Sequence, residues 1–453
     1  MQSFRIAHLM LFASLTLVSR MVMGAATNNI PSPIKIPKPA WRPEASLAVK
    51  ESYDDNIFAS GVAGKFLPAY TVPPGSVAAL ENRSSWVTMV SPKLTLNFAP
   101  WLGDGNFFQI LSLGYAPDFV TYHDQDSESY QAHRVIAALK GKAGSWSLGA
   151  DNNFVFIHGA KFGPTYPGPL FNAYASPFPR ERREQIQDRA AVTLQDDWRN
   201  FFFRPAAALI YYDLMTAQLN IPGYQNYEDR YDVNGGVDLG YELTPSFALT
   251  LGYRYGHQYQ QQFAFSPYSS SSDYQRMLAG LEGKPWRWLE VEIQVGPDFR
   301  NYPENSATHL TPINDLHPVK FYGEGSLTAT ITTKDTVTFK FKEWQWLSSL
   351  GKVPYYDSTV DLAYHRRLTE KLGFDLDGKL LSADYTSGNL AACHRKDLDY
   401  NIGTGLGYIL NPHVSFSLAY TLDLGRNNVD SVVNESTRAF SRNLIAIGAL
   451  MSF

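Results

Sequence analysis

The sequence predicts an all-β chain: a transmembrane, up-and-down antiparallel β-barrel of about 18 strands, with 16 the next best count. Three observations predict it. Apolar and polar residues alternate with a period of two almost everywhere from Ala45 onward. Short turns and long connections alternate strictly along the chain. Finally, the chain ends on an uncharged segment, "NLIAIGALMSF". That segment is too short for a membrane helix of about 20 residues but long enough for a tilted strand of about 9–11.

The N-terminus comes first. Residues 1–26 carry Arg5, an apolar run over Leu9–Val18 and the small residues Gly24, Ala25 and Ala26. That order is expected of a secretory signal peptide. Residues 27–44, "TNNIPSPIKIPKPAWRPE", are rich in proline and read as an extended linker. The barrel is expected over 45–453.

Within that span the alternation is plain. In "DRYDVNGGVDLGYEL", Tyr231, Val233, Val237, Leu239, Tyr241 and Leu243 share one face, against Arg230, Asp232, Asn234, Asp238 and Glu242 on the other. "LEVEIQVGPDFR" sets Leu289, Val291, Ile293, Val295 and Phe299 against Glu290, Glu292, Gln294, Asp298 and Arg300. "REQIQDRAAVTLQDDWR" places Arg183 and Arg189 opposite Ile186, Val192 and Trp198. A soluble sandwich also alternates, so the connections decide the class. Tight turns centre near 103, 142, 199, 245, 286, 333, 370 and 412. Long segments lie between them, at 59–83, 122–129, 159–182, 214–225, 261–272, 302–317, 347–355, 386–396 and 425–438. Outer-membrane barrels show this asymmetry of short periplasmic turns and long outer loops. The predicted strands are also long, about 11–16 residues against a usual 5–6 in soluble proteins. Aromatic residues gather near strand ends (Trp86, Trp101, Tyr122, Trp146, Trp198, Tyr211, Tyr212, Trp344, Trp346 and Tyr408), as interfacial girdles require.

The terminal segment is then the closing strand. Ile445, Ile447, Ala449, Met451 and Phe453 form its lipid face, and Phe453 stands where barrels carry their assembly signal.

Composition excludes other classes. The formal charge is −4, which is not that of a nucleic-acid binder. Cys393 is the single cysteine, so no internal disulfide forms. No zincin, nucleophile-elbow or phosphate-loop motif is present, and the ten histidines show no zinc spacing. Neither an enzyme nor a cofactor is expected. "GTGLG" (Gly403–Gly407) lies inside a strand, where close packing explains it. Cys393 and His394 have no third partner in the sequence. Asp54, Asp55 and Asn56 alternate faces on a strand and so do not converge on calcium.

The segment "SYDDNIFAS" (Ser52–Ser60) resembles the opening strand of the β-barrel porin 2 family, where a Tyr-Asp-x-Asn-hydrophobic-aromatic stretch is common. The resemblance implies an outer-membrane barrel, and for some members a part in exopolysaccharide assembly.

Function is therefore sought on the inner wall. The pore-lining candidates are Arg183, Arg189, Arg204, Arg230, Asp232, Asp238, Glu242, Arg254, Glu290 and Glu292. The expected activity is passive diffusion of small hydrophilic solutes, with the arginines forming a basic strip. A surface scaffold or adhesin acting through its loops, or a polysaccharide export barrel, are the alternatives. Expected partners are outer-membrane lipids, the barrel-assembly machinery and the solute or polysaccharide. Segment 159–182 is either a plug or an outer loop.

Overall fold

The alternation does build one closed wall. The structure, a computed structural model, describes residues 43–57, 84–103, 105, 107–159, 184–215, 229–261, 270–303, 315–347, 354–385, 395–429 and 440–453. Residues 1–42, which hold the expected signal peptide and nearly all of the expected linker, lie outside the described residues, as do Arg183, Cys393, His394 and segment 161–182.

Nineteen β segments follow in chain order: β1 Glu44–Asp54, β2 Ser85–Asn97, β3 Phe108–Tyr115, β4 Asp118–Tyr122, β5 Tyr130–Ala143, β6 Trp146–His158, β7 Gln185–Trp198, β8 Phe201–Asp213, β9 Arg230–Thr244 and β10 Phe247–Gln260. The series continues with β11 Ser272–Trp286, β12 Leu289–Asn301, β13 Val319–Thr330, β14 Asp335–Leu347, β15 Pro354–Arg367, β16 Leu372–Tyr385, β17 Arg395–Asn411, β18 Val414–Val429 and β19 Phe440–Ser452. β3 and β4 are two halves of one wall strand. Both pair with β2 on one side and β5 on the other, and the chain between them holds Pro117, which has no N–H for a ladder. The barrel therefore has the expected 18 strands, each antiparallel to its neighbours.

The closing strand is where the sequence placed it. β19 pairs with β1 from Ser46↔Ser452 to Asp54↔Leu444, and the Phe453 N–H donates to the Ala45 carbonyl at 2.9 Å. The "SYDDN" residues form a clasp on this seam. Asp54 takes two Arg442 nitrogens at 2.6 and 3.0 Å, and Asp55 takes the backbone and side-chain N–H of Asn443 at 2.6 and 2.7 Å. The Asn56 amide donates to the Ser441 carbonyl at 2.9 Å. As alternation requires, the two carboxylates diverge, one to each face.

Turn chemistry explains the tight end. Two residues join β5 to β6, and Gly144 there has φ 59°. Between β7 and β8 the same left-handed position is held by Arg199, at φ 57°. A non-glycine residue there costs roughly 1–2 kcal/mol, which a two-residue hairpin turn demands.

Burial sorts the two faces. Leu239, Leu251, Leu362, Ile402, Leu418 and Ile447 are exposed on the outside, while Arg204, Asp232, Asp238, Arg276 and Asp298 are buried on the inside. Trp101, Trp146, Trp198 and Tyr408 stand exposed at the tight-turn end, with Trp286 stacked on Trp288 beside them. Four of the expected girdle residues belong elsewhere. Tyr122, Tyr212 and Trp346 are buried inside the barrel and Trp344 packs against Trp346 there, because their positions have inward parity. Nearness to a strand end gives height in the wall but not facing.

Facing in the closing strand is directly testable. Ile447 is 58% exposed, whereas Gly448 lies opposite Lys50 on the inner face. Ile447→Arg is expected to lose about 2–4 kcal/mol of insertion stability, and Gly448→Arg clearly less. Folded fractions read from the heat-modifiable gel shift check this, and equal losses would reverse the assigned faces. Deleting Phe453 removes an exposed terminal aromatic ring and is expected to lower the fraction assembled in the membrane, with export unchanged.

Candidate transport lumen

The inner wall of β7–β13 is built from paired charges. Arg204 on β8 stands in register with Asp238 on β9, and Asp238 stands opposite Gly252 on β10. A Cβ at Gly252 would lie 2.6 Å from an Asp238 carboxylate oxygen, so only glycine leaves that carboxylate its place. The Arg204 Nε donates to Asp238 at 3.1 Å, and its two terminal nitrogens reach Glu282 on β11 at 3.1 and 2.8 Å. Arg254 completes the cluster, 2.8 Å from Asp238. The Arg204 guanidinium also lies 5.1 Å from the centre of the Phe202 ring, which itself occupies the space a Cβ on Gly240 would need.

Toward the long-loop end a second network forms. Asp298 pairs with Arg276 at 3.0 Å and Arg300 at 2.9 Å. Arg276 is sandwiched between the rings of Tyr274 and Tyr322, 4.0 Å from each centre. Asp232 accepts from the Gln258 amide and the Tyr274 hydroxyl, both at 2.8 Å. Arg189 donates to the Tyr212 hydroxyl at 2.6 Å, and Arg230 lies over the Tyr212 and Trp346 rings.

Alternation thus brought most of the candidates to one wall. Arg189, Arg204, Arg230, Asp232, Asp238 and Arg254 share these networks. Glu290 pairs with Lys284 at 3.3 Å. Glu292 stands in register with Glu282 and Ser326, and Glu242 lines a recess at the tight-turn end beside Lys142 and Asp197. Arg183 falls outside the described residues. The basic strip differs from expectation in one respect: Arg204 and Arg254 are each matched by a carboxylate, so that stretch of wall is charge-paired. Alternation names which residues face inward but not which of them meet.

The opposite wall is more open. Asp361, Asp375 and Asp377, with Lys340 and Lys379, are half-buried on β14, β15 and β16. Asp375 accepts from or faces His365 at 2.8 Å. Gly403 packs against Asp377, whose oxygen would lie 2.5 Å from a Cβ there, in keeping with the close-packing reading of "GTGLG". Among the described residues no group of three or more metal-ligating side chains occurs.

No protein-family model matches the chain, and no curated protein matches its sequence. Solved structures resemble its fold loosely. OpdK of Pseudomonas aeruginosa with vanillate aligns at 11% identity and a TM-score of 0.41, over 91% of this chain and 99% of its own. OccAB2 of Acinetobacter baumannii gives 12% and 0.43 over 92% and 100%. OccK2 (OpdF) of Pseudomonas aeruginosa in complex with glucuronate gives 10% and 0.42 over 91% and 98%.

The networks predict where the wall is fragile. Asp238 is 1% exposed and neutralises two guanidiniums. Asp238→Ala should cost about 3–5 kcal/mol, since it strands buried charge. Glu290→Ala, which leaves only the half-buried Lys284 unpaired, should cost about 1 kcal/mol or less. Urea midpoints in detergent micelles measure the contrast, and similar losses would contradict the pairing described.

Proposed function

We propose that this chain is an outer-membrane channel for passive diffusion of small hydrophilic solutes. One observation carries the reading: a closed 18-strand wall whose outer face is apolar and whose inner face is charged. Barrels of about 16–18 strands enclose a water-filled lumen unless plugged. In this reading the tight turns face the periplasm, the long connections face outward, and residues 1–26 direct export.

The two inner walls divide the work. The arginines and aspartates Arg204, Asp238, Arg276, Asp298 and Arg300 of β8–β12 are buried and paired, so they hold the wall's shape. The half-buried Asp361, Asp375, Asp377 and Lys379 remain accessible to water, and the solute path runs along them. Arg189, Arg204, Arg230 and Arg254 act through the wall they stiffen more than by binding solute. The polysaccharide port implied by the Ser52–Ser60 resemblance needs a lumen open along its length; the buried cluster of Tyr212, Trp346 and Tyr355 at the long-loop end favours small solutes instead.

Planar-bilayer recording of purified barrels tests this. Discrete conductance steps are expected, with Asp361→Lys combined with Asp377→Lys shifting the reversal potential toward anion preference under a salt gradient. Silent bilayers, together with silence after removal of 161–181, would reject the channel in favour of a loop-presenting scaffold.

A further inference from the structure

The wall is not zipped along its whole height. β13 and β14 pair from Thr330↔Thr336 up to Gly323↔Glu343 and then part. Val319 to Tyr322 still pair with β12, and Trp344 to Leu347 still pair with β15. Between these two runs no rung is made.

The β14 edge has instead moved inside. Register with β13 places Lys342 inward beside Glu324, so Gln345 and Leu347 have outward parity, like Phe341. Yet Gln345 is 6% exposed and Leu347 is 0% exposed. Their carbonyls, which a continued ladder would direct at β13, accept from side chains of the opposite inner wall. The Gln258 amide and Arg300 reach the Gln345 carbonyl at 3.0 and 3.4 Å, and Arg230 reaches the Leu347 carbonyl at 2.7 Å. The Gln345 amide in turn donates to the Tyr302 hydroxyl. On the inward face, Trp346 stacks on Trp344 at 4.5 Å and meets the edge of Tyr212 on β8 at 6.4 Å. On the abandoned edge, the Phe321 carbonyl is capped by the Tyr356 hydroxyl from β15.

We propose that the last four residues of β14, Trp344 to Leu347, form a two-position constriction. In the tucked position seen here it leans inward onto side chains of β8, β9, β10 and β12 and narrows the long-loop mouth. In the second position it returns to β13. Continuing the Gly323↔Glu343 register would pair Tyr322 with Trp344, Phe321 with Gln345, Lys320 with Trp346 and Val319 with Leu347. Parity is kept in that zipper: Leu347 would join the exposed Val319 on the outer face, and Trp344 and Trp346 would line a wider lumen. Buried backbone acceptors must be satisfied in either position. Side-chain donors satisfy them when tucked and ladder bonds would when zipped, so neither position strands these carbonyls.

The proposal rests on the channel reading, and its test separates the two. In a Cys393→Ser background, Phe321→Cys with Gln345→Cys would be treated in membranes with a short bis-methanethiosulfonate cross-linker, which forms a disulfide at each cysteine with loss of methanesulfinate. Leu327→Cys with Phe339→Cys, on the formed ladder, is the control. The cross-link is read by peptide mass and needs no conductance. The seam pair is expected to link as the control does, and the linked barrel to conduct about twofold more per channel. Gln258→Ala, which removes one tether to the Gln345 carbonyl together with the side-chain bonds to Asp232 and Arg300 and leaves the backbone ladder intact, is expected to raise conductance in the same direction. A linked control with an unlinked seam overturns the second position. A linked seam with unchanged conductance overturns the constriction. Silence of every form, linked or not, overturns the channel reading and the constriction with it.

Discussion

The fold depends on one constraint: in hydrocarbon every backbone N–H and C=O must find a partner within the protein, because no water is there to take it. A sheet can meet that demand only by having no edge, so the first and last strands must find each other. Here they do, through nine register pairs between β1 and β19. The clasp of Asp54 on Arg442 and Asp55 on Asn443 adds directional specificity to a ladder that is otherwise indifferent to sequence. Those two contacts join residues nearly four hundred positions apart. Loop closure over such a span is entropically expensive, and charge-assisted, multidentate bonds at the seam help to offset it.

Once closure is imposed, the interior follows. Every second residue must face inward, and the chain fills those positions with arginine and carboxylate. A guanidinium taken from water is tolerable only when paired and hydrogen-bonded, which is why Asp238 serves two arginines and Asp298 two more. Planar guanidinium groups also stack on aromatic faces, and Arg276 between Tyr274 and Tyr322 uses this. The wall so built has buried, paired charges on β8–β12 and half-buried ones on β14–β16, so its two sides differ in how far their charges are exposed.

Much of this was legible in the sequence, and the reason is period. Alternation over 230–244 put Arg230, Asp232 and Asp238 on one face, and the spacing of turns such as Arg199–Asn200 and Pro245–Ser246 numbered the strands. The closing role of Ile445 to Phe453 was legible because those residues alternate and the chain stops. What could not be read was contact between strands that are not neighbours. Nothing local says that Arg204 reaches Glu282 across two strands, or that Gln258 meets Gln345. Tyr212 and Trp346 misled for the same reason: a strand-end aromatic fits a girdle or a lumen equally, and only register with neighbouring strands distinguishes the two.

Gln345 and Leu347 show where period itself stops being a guide. Their parity assigns them to the outer face, their burial assigns them to the interior, and both assignments are sound. Period reports what a residue does when its strand is paired on both sides. Burial reports that β14 is paired on one side only over its last four residues. A local rule and a global packing in conflict mark places where a chain gives up regularity for something else. The cost of that departure is limited because Arg230, Gln258 and Arg300 supply from the facing wall the donors that β13 no longer gives. Two of the arginines in the buried networks, Arg230 and Arg300, therefore also hold this unpaired edge of β14.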